Sequence, residues 1–304
     1  MNKHLDLDLH PSSVWEKINN TILNTNTMST DKYSNFRKVD SINSKITTWN
    51  PYEPSLRYFK TMLYNIVSKE SNNFFKIYNQ ITNTDMDSPI FIQYQNVKYN
   101  LDYILATYEI IFMKPYIDTI NTICEIGAGF GRTCHSILET HNNIDCYYII
   151  DLPNCLGLSK YYLQKTLHPN LYNKCKFMSI HEIDIPNEVD MFINIDSFAE
   201  MPPSTIKNYL KLISTHGKFL YCKNPIGKYN VEDIGLINPN VEDVTEILKT
   251  GLCRQSLDIY NDIELVYNLK IYVDKYKPNN NSKAVKFSND VVFPHYGNVI
   301  YKII

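Results

Sequence analysis

The stretch from Asn121 to Pro153, NTICEIGAGFGRTCHSILETHNNIDCYYIIDLP, constrains the fold more than any other part of the chain. Residues 123–126 form a short apolar run suited to a central strand, and Gly127-Ala128-Gly129-Phe130-Gly131 then breaks it. From about residue 133 to 140 apolar side chains fall on one helical face, and a second apolar run, 146–150, ends in Asp151. Strand, glycine turn, helix, strand and acid in that order describe one β-α-β nucleotide-binding unit. The glycines permit a tight turn and close backbone approach to a ligand. An acid at the end of the second strand can accept both hydroxyls of a ribose.

The spacing selects among nucleotides. The loop reads G-x-G-x-G rather than G-x-G-x-x-G, and Glu125 stands two residues before its first glycine. A dinucleotide site needs a helix N-terminus aimed at a pyrophosphate. S-adenosylmethionine carries no phosphate, and its site can use one acid near the loop for the amino acid end and another for the ribose. That cofactor fits the pattern better than NAD.

Downstream, strands are expected at 176–180, 189–195 and 217–222, with helices at about 155–167 and after Pro202-Pro203. This alternation predicts a mostly parallel sheet covered on both faces. A further helix is expected at 241–248, and strands at 257–260 and 264–273 are read as a closing antiparallel pair. Upstream, helical patterns span about 54–69 and from Asn100 or Asp102 to Pro115. The fold class is therefore α/β: a Rossmann-like, seven-stranded, mostly parallel sheet with helices on both faces and a mainly helical N-terminal extension. The boundaries are 1–118 for the extension, 119–275 for the cofactor-binding core and 276–304 for a C-terminal segment placed to close a substrate pocket. Residues 1–50 are polar, with a short helix suggested around Trp15–Leu23 and a turn at 49–52. Such an arm can cover a cleft or touch a second subunit, which leaves a homo-oligomer open.

Composition excludes some classes. The 30 basic and 32 acidic residues give a formal charge of −2, with no field for gripping a nucleic acid backbone. No run of eighteen apolar residues is present to insert in a membrane, and the start, MNKHLDLDLH, has no apolar signal region. Seven cysteines, odd in number and without a C-x-x-C pair, read as buried thiols of a reducing, cytoplasmic compartment.

The pieces CEIGAGFGRTCHSIL (124–138), YYIIDLP (147–153), DMFINIDSFAEMP (190–202) and YNLDYILATYEIIF (99–112) resemble class I S-adenosylmethionine-dependent methyltransferases. More narrowly they resemble the sugar O-methyltransferase family of bacterial surface-polysaccharide gene clusters, over roughly residues 50–250. The resemblance implies that Glu125, Gly127, Ala128, Gly129 and Gly131 line the methionine side of the cofactor. It places Asp151 on the ribose, Leu152 against the adenine and Asp184 near the adenine amine. Asn194 to Glu200 would form the active-site edge, and the acceptor would be a small carbohydrate, nucleotide-linked or a polysaccharide precursor.

Methyl transfer to a hydroxyl needs an aligned oxygen and either a general base or a metal that acidifies it. His181 after the third strand and His295 in the C-terminal segment are candidate bases. Asp196 is a candidate base or Mg²⁺ ligand, and Glu200 a candidate orienting group. Arg132 is placed to pair with Glu125 or the cofactor carboxylate, or to cap its helix. No H-x-x-x-H pair is present, which argues against a zinc site. Tyr52, Tyr94 and Tyr99 lie in segments that could frame a sugar. Two rival readings stay open: the same chemistry on a capsule phosphoramidate or other small hydroxylated metabolite, and an NAD-dependent oxidoreductase.

Overall fold

The computed structural model describes residues 56–86, 88–229 and 248–304, together with Lys17, Asn20 and Thr21. The helix expected near 15–23 (those three residues, all helical, apart), the turn at 49–52 with Tyr52, and the helix at 241–247 lie outside the described residues. The chain divides into two units, 1–62 and 63–304. Of the first, the described part is chiefly the opening of helix α1 (Leu56–Val67), where Thr61 bonds back to the Arg57 carbonyl at 2.8 Å.

The second unit carries everything that follows. Helix α2 (Asn72–Tyr78) starts at Ser71, whose hydroxyl accepts from the Phe74 amide. Strands β1 (Phe91–Tyr94) and β2 (Val97–Asn100) form a hairpin that the sequence reading missed. Its two turn residues, Gln95 and Asn96, both have positive φ (49° and 63°), the type I′ geometry that matches strand twist. Tyr99 is fully buried there, so it is closed to a ligand. Asn100 then caps helix α3 (Leu101–Ile117) by accepting from the Tyr103 amide at 3.2 Å.

Strand β3 (Thr122–Ile126), helix α4 (Arg132–Thr140) and strand β4 (Cys146–Asp151) form the expected β-α-β unit. Helices α5 (Pro153–Thr166) and α6 (Pro169–Tyr172), strand β5 (Cys175–Ser179) and strand β6 (Val189–Ile195) follow. Helix α7 (Pro203–His216) starts with proline at its first position and leads into strand β7 (Gly217–Pro225). Short strands β8 (Lys228–Tyr229) and β9 (Ser256–Leu257) pair with each other.

The closing pair of strands is not where the sequence placed it. Residues 264–273 lie inside helix α8 (Asp262–Lys275), capped by Asn261, with Asp262 and Glu264 in the first turn and Lys275 in the last. Aromatic and β-branched residues there imitate a strand, but Leu265, Leu269, Tyr272 and Val273 bury a stripe of helical period. The pair is formed instead by β10 (Lys283–Asn289) and β11 (Tyr296–Lys302). The central sheet therefore runs β10-β11-β7-β6-β3-β4-β5, with β3 to β7 parallel and β11 antiparallel to both its neighbours.

The sheet is buried on both faces, as alternation along its strands requires. Ile123, Ile149 and Ile193 meet Ile110, Met113, Ile137 and Leu163 of α3, α4 and α5 on one face. Cys124, Ile126, Ile150 and Phe192 meet Ile206, Ile213, Leu269 and Tyr272 of α7 and α8 on the other. All seven cysteines are free thiols. Among the described residues no helix is long and apolar enough to cross a membrane.

Candidate active site

Every parallel strand points its carboxyl end to one edge, and the glycine loop sits at the centre of that edge. Gly127 extends β3 by donating to the Ile150 carbonyl at 2.8 Å, and its φ is +75°. A Cβ at Gly127 would lie 2.2 Å from Ser197 Oγ, so both conformation and contact require glycine. The Ser197 hydroxyl is part of a polar clamp beneath the loop. Asn194 donates to the Ile126 carbonyl at 3.0 Å and to Ser197 Oγ at 2.6 Å, while Asn224 donates to Asn194 Oδ1 at 2.9 Å. Asn194 is thus fully buried and satisfied within the clamp.

Asp151 faces the loop from the end of β4. Its Oδ2 accepts from the Gly129 amide at 2.9 Å, and its Oδ1 from the Leu152 amide at 2.7 Å. Each carboxylate oxygen keeps a lone pair for a further donor. Gly129, with φ +59°, has nothing within 4 Å of where a Cβ would stand, so the loop offers bare backbone to open space. Leu152 is 53% exposed at the start of α5, an apolar side chain displayed beside the acid. Free space over the loop, an acid with acceptor capacity and an exposed apolar side chain fit an adenosine-bearing ligand. Ala128 is buried in the same loop, and Asp184 stands exposed in the loop after β5.

Glu125 lies under this surface. It is 2% exposed, and its Oε2 accepts from the Tyr147 hydroxyl at 2.8 Å. Burial raises its pKa from 4.5 to about 7, against the opposing bonds from Tyr147 and Thr133 and the charge of Arg132. A carboxyl that holds its proton more tightly when folded stabilises the fold below its unfolded pKa, and that stability is lost as pH rises through the folded value. Glu125 should therefore cost about 3 kcal/mol between pH 4 and pH 8. Urea titrations should show that pH-dependent loss in the native protein and not in Glu125→Gln. Parallel pH profiles for the two proteins would contradict the assignment.

Arg132 pairs with neither Glu125 nor a helix cap. Its guanidinium meets the Glu109 carboxylate at 3.0 Å and donates to the Asp102 carbonyl at 2.9 Å. Glu109 also accepts from Lys223 at 3.0 Å, and Lys223 meets Asp290 at 2.8 Å. Asp290 in turn accepts from the amides of Val292 and Phe293. Helix α3, the start of helix α4, β7 and the C-terminal segment are joined by one buried chain of charges. The sequence reading missed Glu109, Lys223 and Asp290. The available signal was a lone charge inside an apolar run, YEIIF around Glu109 and LYCKNP around Lys223.

The third cluster lies at the ends of β6, β7 and β11. Asp196 leaves β6 with φ +65°, unusual for a residue with a side chain, and its amide is held by the Lys223 carbonyl at 2.8 Å. The Tyr296 hydroxyl donates to Asp196 Oδ1 at 3.0 Å and also bonds Tyr229. His295 lies with its ring 5.1 Å from both Tyr229 and Tyr296. Burial lowers the His295 pKa from its ordinary value, although Asp290 and Asp196 pull it up. Two candidates far apart in the sequence, Asp196 and His295, are thus brought together. Tyr229 and Tyr296, which complete the cluster, were missed because nothing in a single tyrosine marks it among 24.

His181 is placed elsewhere. It is exposed after β5, its amide bonded to Ser179 Oγ at 3.3 Å. Strand β5 lies three positions from β6 in the sheet, about 14 Å away at normal strand spacing. Glu200 is exposed at the end of the 3-10 turn Ser197–Glu200, where its charge is felt by Lys228. Among the described residues no group of three or more His, Cys, Asp or Glu side chains is placed to hold a metal ion.

No family model matches the chain, and no curated protein matches it in sequence. Among solved structures it is similar in chain path to the methyltransferase domain of bacterial CtHen1, at 12% identity and TM-score 0.44, over 65% of this chain and 97% of that one. It is also similar to the mitomycin 7-O-methyltransferase MmcR (11%, TM-score 0.41, 88% of this chain and 72% of that one). PigF with S-adenosylhomocysteine gives 14% and 0.43, over 86% and 72%. Likenesses this distant do not bear on chemistry, which has to come from the site itself.

Proposed function

We propose that this protein is an S-adenosylmethionine-dependent methyltransferase that methylates a hydroxyl group, with a sugar hydroxyl as the acceptor. The observation that carries the reading is a single edge of the sheet bearing both halves of such a site. Asp151, Leu152 and the open Gly129 backbone stand at one position, and Asp196, His295 and Tyr296 stand two strands and more away. When bound, the cofactor supplies a methyl group activated by its sulfonium. Asp151 holds the ribose hydroxyls through the lone pairs its backbone contacts leave free. Leu152 covers an adenine face.

At the acceptor end, His295 takes the proton of the hydroxyl as that oxygen attacks. Its lowered pKa keeps the imidazole neutral, and therefore basic, at neutral pH. Tyr296 fixes Asp196 through Oδ1, which leaves Oδ2 to orient the acceptor. The rim of Tyr229, Phe293 and Tyr296, half-buried around a carboxylate, suits a sugar, which presents C–H faces to rings and hydroxyls to acids.

Calorimetric titration with S-adenosylhomocysteine, with NAD in parallel, tests the class. Saturable binding of the first and none of the second is expected; the reverse would make the chain an oxidoreductase. For the base, His295→Gln should lower kcat about a hundredfold or more and leave S-adenosylhomocysteine affinity unchanged. In the native enzyme activity should fall at low pH, as His295 gains its proton below the ordinary histidine range. That acid limb should be absent from the residual activity of His295→Gln. An unchanged limb would move the role of base to Asp196.

A further inference from the structure

Helices α7 and α8 and the segment 252–254 enclose a groove of about 460 Å³ on the face of the sheet opposite α3, α4 and α5. Its charged lining is all of one sign: Lys207 from α7, Arg254 from the connecting segment, Lys275 from the last turn of α8, and Lys277 just beyond. Leu210 and Leu252 supply an apolar wall. No carboxylate lines it, although the chain has more acidic than basic residues overall.

Some cations elsewhere in the protein are neutralised in place. Lys98, Lys218, Lys223 and Arg132 all meet carboxylates, and exposed Lys218 meets two. Among the described residues none of the four groove cations forms an ion pair. Lys275 has a local explanation, since it donates to the Leu252 carbonyl at 2.9 Å and sits where a helix end favours a cation. Lys207, Arg254 and Lys277 have no such explanation. They come from three different stretches of chain and converge on one cleft.

We propose that this groove binds a diphosphate-bearing small molecule. Arg254 offers the planar fork that grips two phosphate oxygens together, and the lysines supply point charges for the second phosphate. The Leu210 and Leu252 wall accepts the carbon portion of the ligand. The groove wall is continuous with the methyl-transfer edge. Thr250 bonds the Ala199 carbonyl at 2.7 Å and Gly251 the Met201 carbonyl at 2.9 Å, immediately before Leu252 and Arg254. Phosphate recognition here stands apart from the methyl-transfer reading and does not depend on it.

The test uses the full chain and inorganic pyrophosphate as probe, followed by calorimetry at low ionic strength, with orthophosphate and a short single-stranded RNA as parallel arms. Pyrophosphate should bind saturably and more tightly than orthophosphate, and binding should weaken as salt is added. Arg254→Gln and Lys277→Gln should each weaken it about tenfold. Both positions are at the surface, so melting temperature should not move, and S-adenosylhomocysteine affinity should stay as in the native chain. Absence of saturable pyrophosphate binding, native affinity in both variants, or a groove-dependent preference for the RNA would each overturn the assignment.

Discussion

Glu109→Ala should destabilise the protein by about 3–5 kcal/mol, the largest loss expected from any single substitution of a charged residue in the described structure. Glu109 is 2% exposed in the middle of α3 and is the one carboxylate shared by Arg132 and Lys223. Removing it leaves two cations in the interior with Asp290, which pairs with Lys223 and not with Arg132. Arg132 would be left buried without an ion pair, bonded only to the Asp102 carbonyl. Its pKa shows the same balance, because burial pulls it down and Glu109 more than restores it. Lys218→Ala is the control. Lys218 also touches two carboxylates, but it is half exposed, and such surface pairs contribute little because water screens them. Urea unfolding of the two variants should separate them clearly. A Glu109→Ala loss as small as that of Lys218→Ala would mean that water reaches the network. Acid should act on it too. The Asp290 pKa is held down by Lys223 and two backbone amides despite burial, so its contribution is present above the ordinary carboxylate range and is lost as pH falls below it.

The same network shows where reading the sequence stops. The β3–loop–β4 unit was legible because each of its elements announces itself locally: an apolar run, a glycine cluster, a helical period, a terminal acid. Asp151 was legible for the same reason, since its place follows from where β4 ends. Glu109 and Lys223 are separated by 114 residues, and nothing local distinguishes a buried paired charge from an exposed one. Arg132 was noticed, but it was assigned to Glu125, the cofactor carboxylate or a helix cap, and its bond to Glu109 was not foreseen. Glu125 was expected to line the methionine side of the cofactor, and its bond from Tyr147 under the loop was not foreseen. Helix α8 was misread because its buried stripe consists of residues equally at home in strands. The error moved the final strand pair roughly thirty residues toward the N-terminus. The cluster at Asp196 was half legible: the acid follows a strand end, but the partners come from β8 and β11, whose placement depends on the sheet order.

Asp151→Ala should weaken S-adenosylhomocysteine binding about a hundredfold or more. Two effects combine at this residue. The carboxylate is the only acid among the described residues at the carboxyl edge that bonds the glycine loop, through Gly129, and it also holds the first amide of the next segment, through Leu152. Alanine removes the proposed acceptor of the ribose hydroxyls and also releases both amides. Asp151→Asn separates these contributions. The amide oxygen can still accept from one backbone N–H, but the side-chain nitrogen cannot accept from a hydroxyl or from the second amide. If Asp151 acts mainly on the ribose, Asn and Ala should lose affinity by similar factors while Asn retains most of the stability that Ala loses. If its role is to brace the loop, affinity should follow stability, with Asn intermediate in both. Native affinity in a folded Asp151→Ala protein would remove the ribose contact altogether. The glycine loop would then lack the acid on which an adenosine site depends.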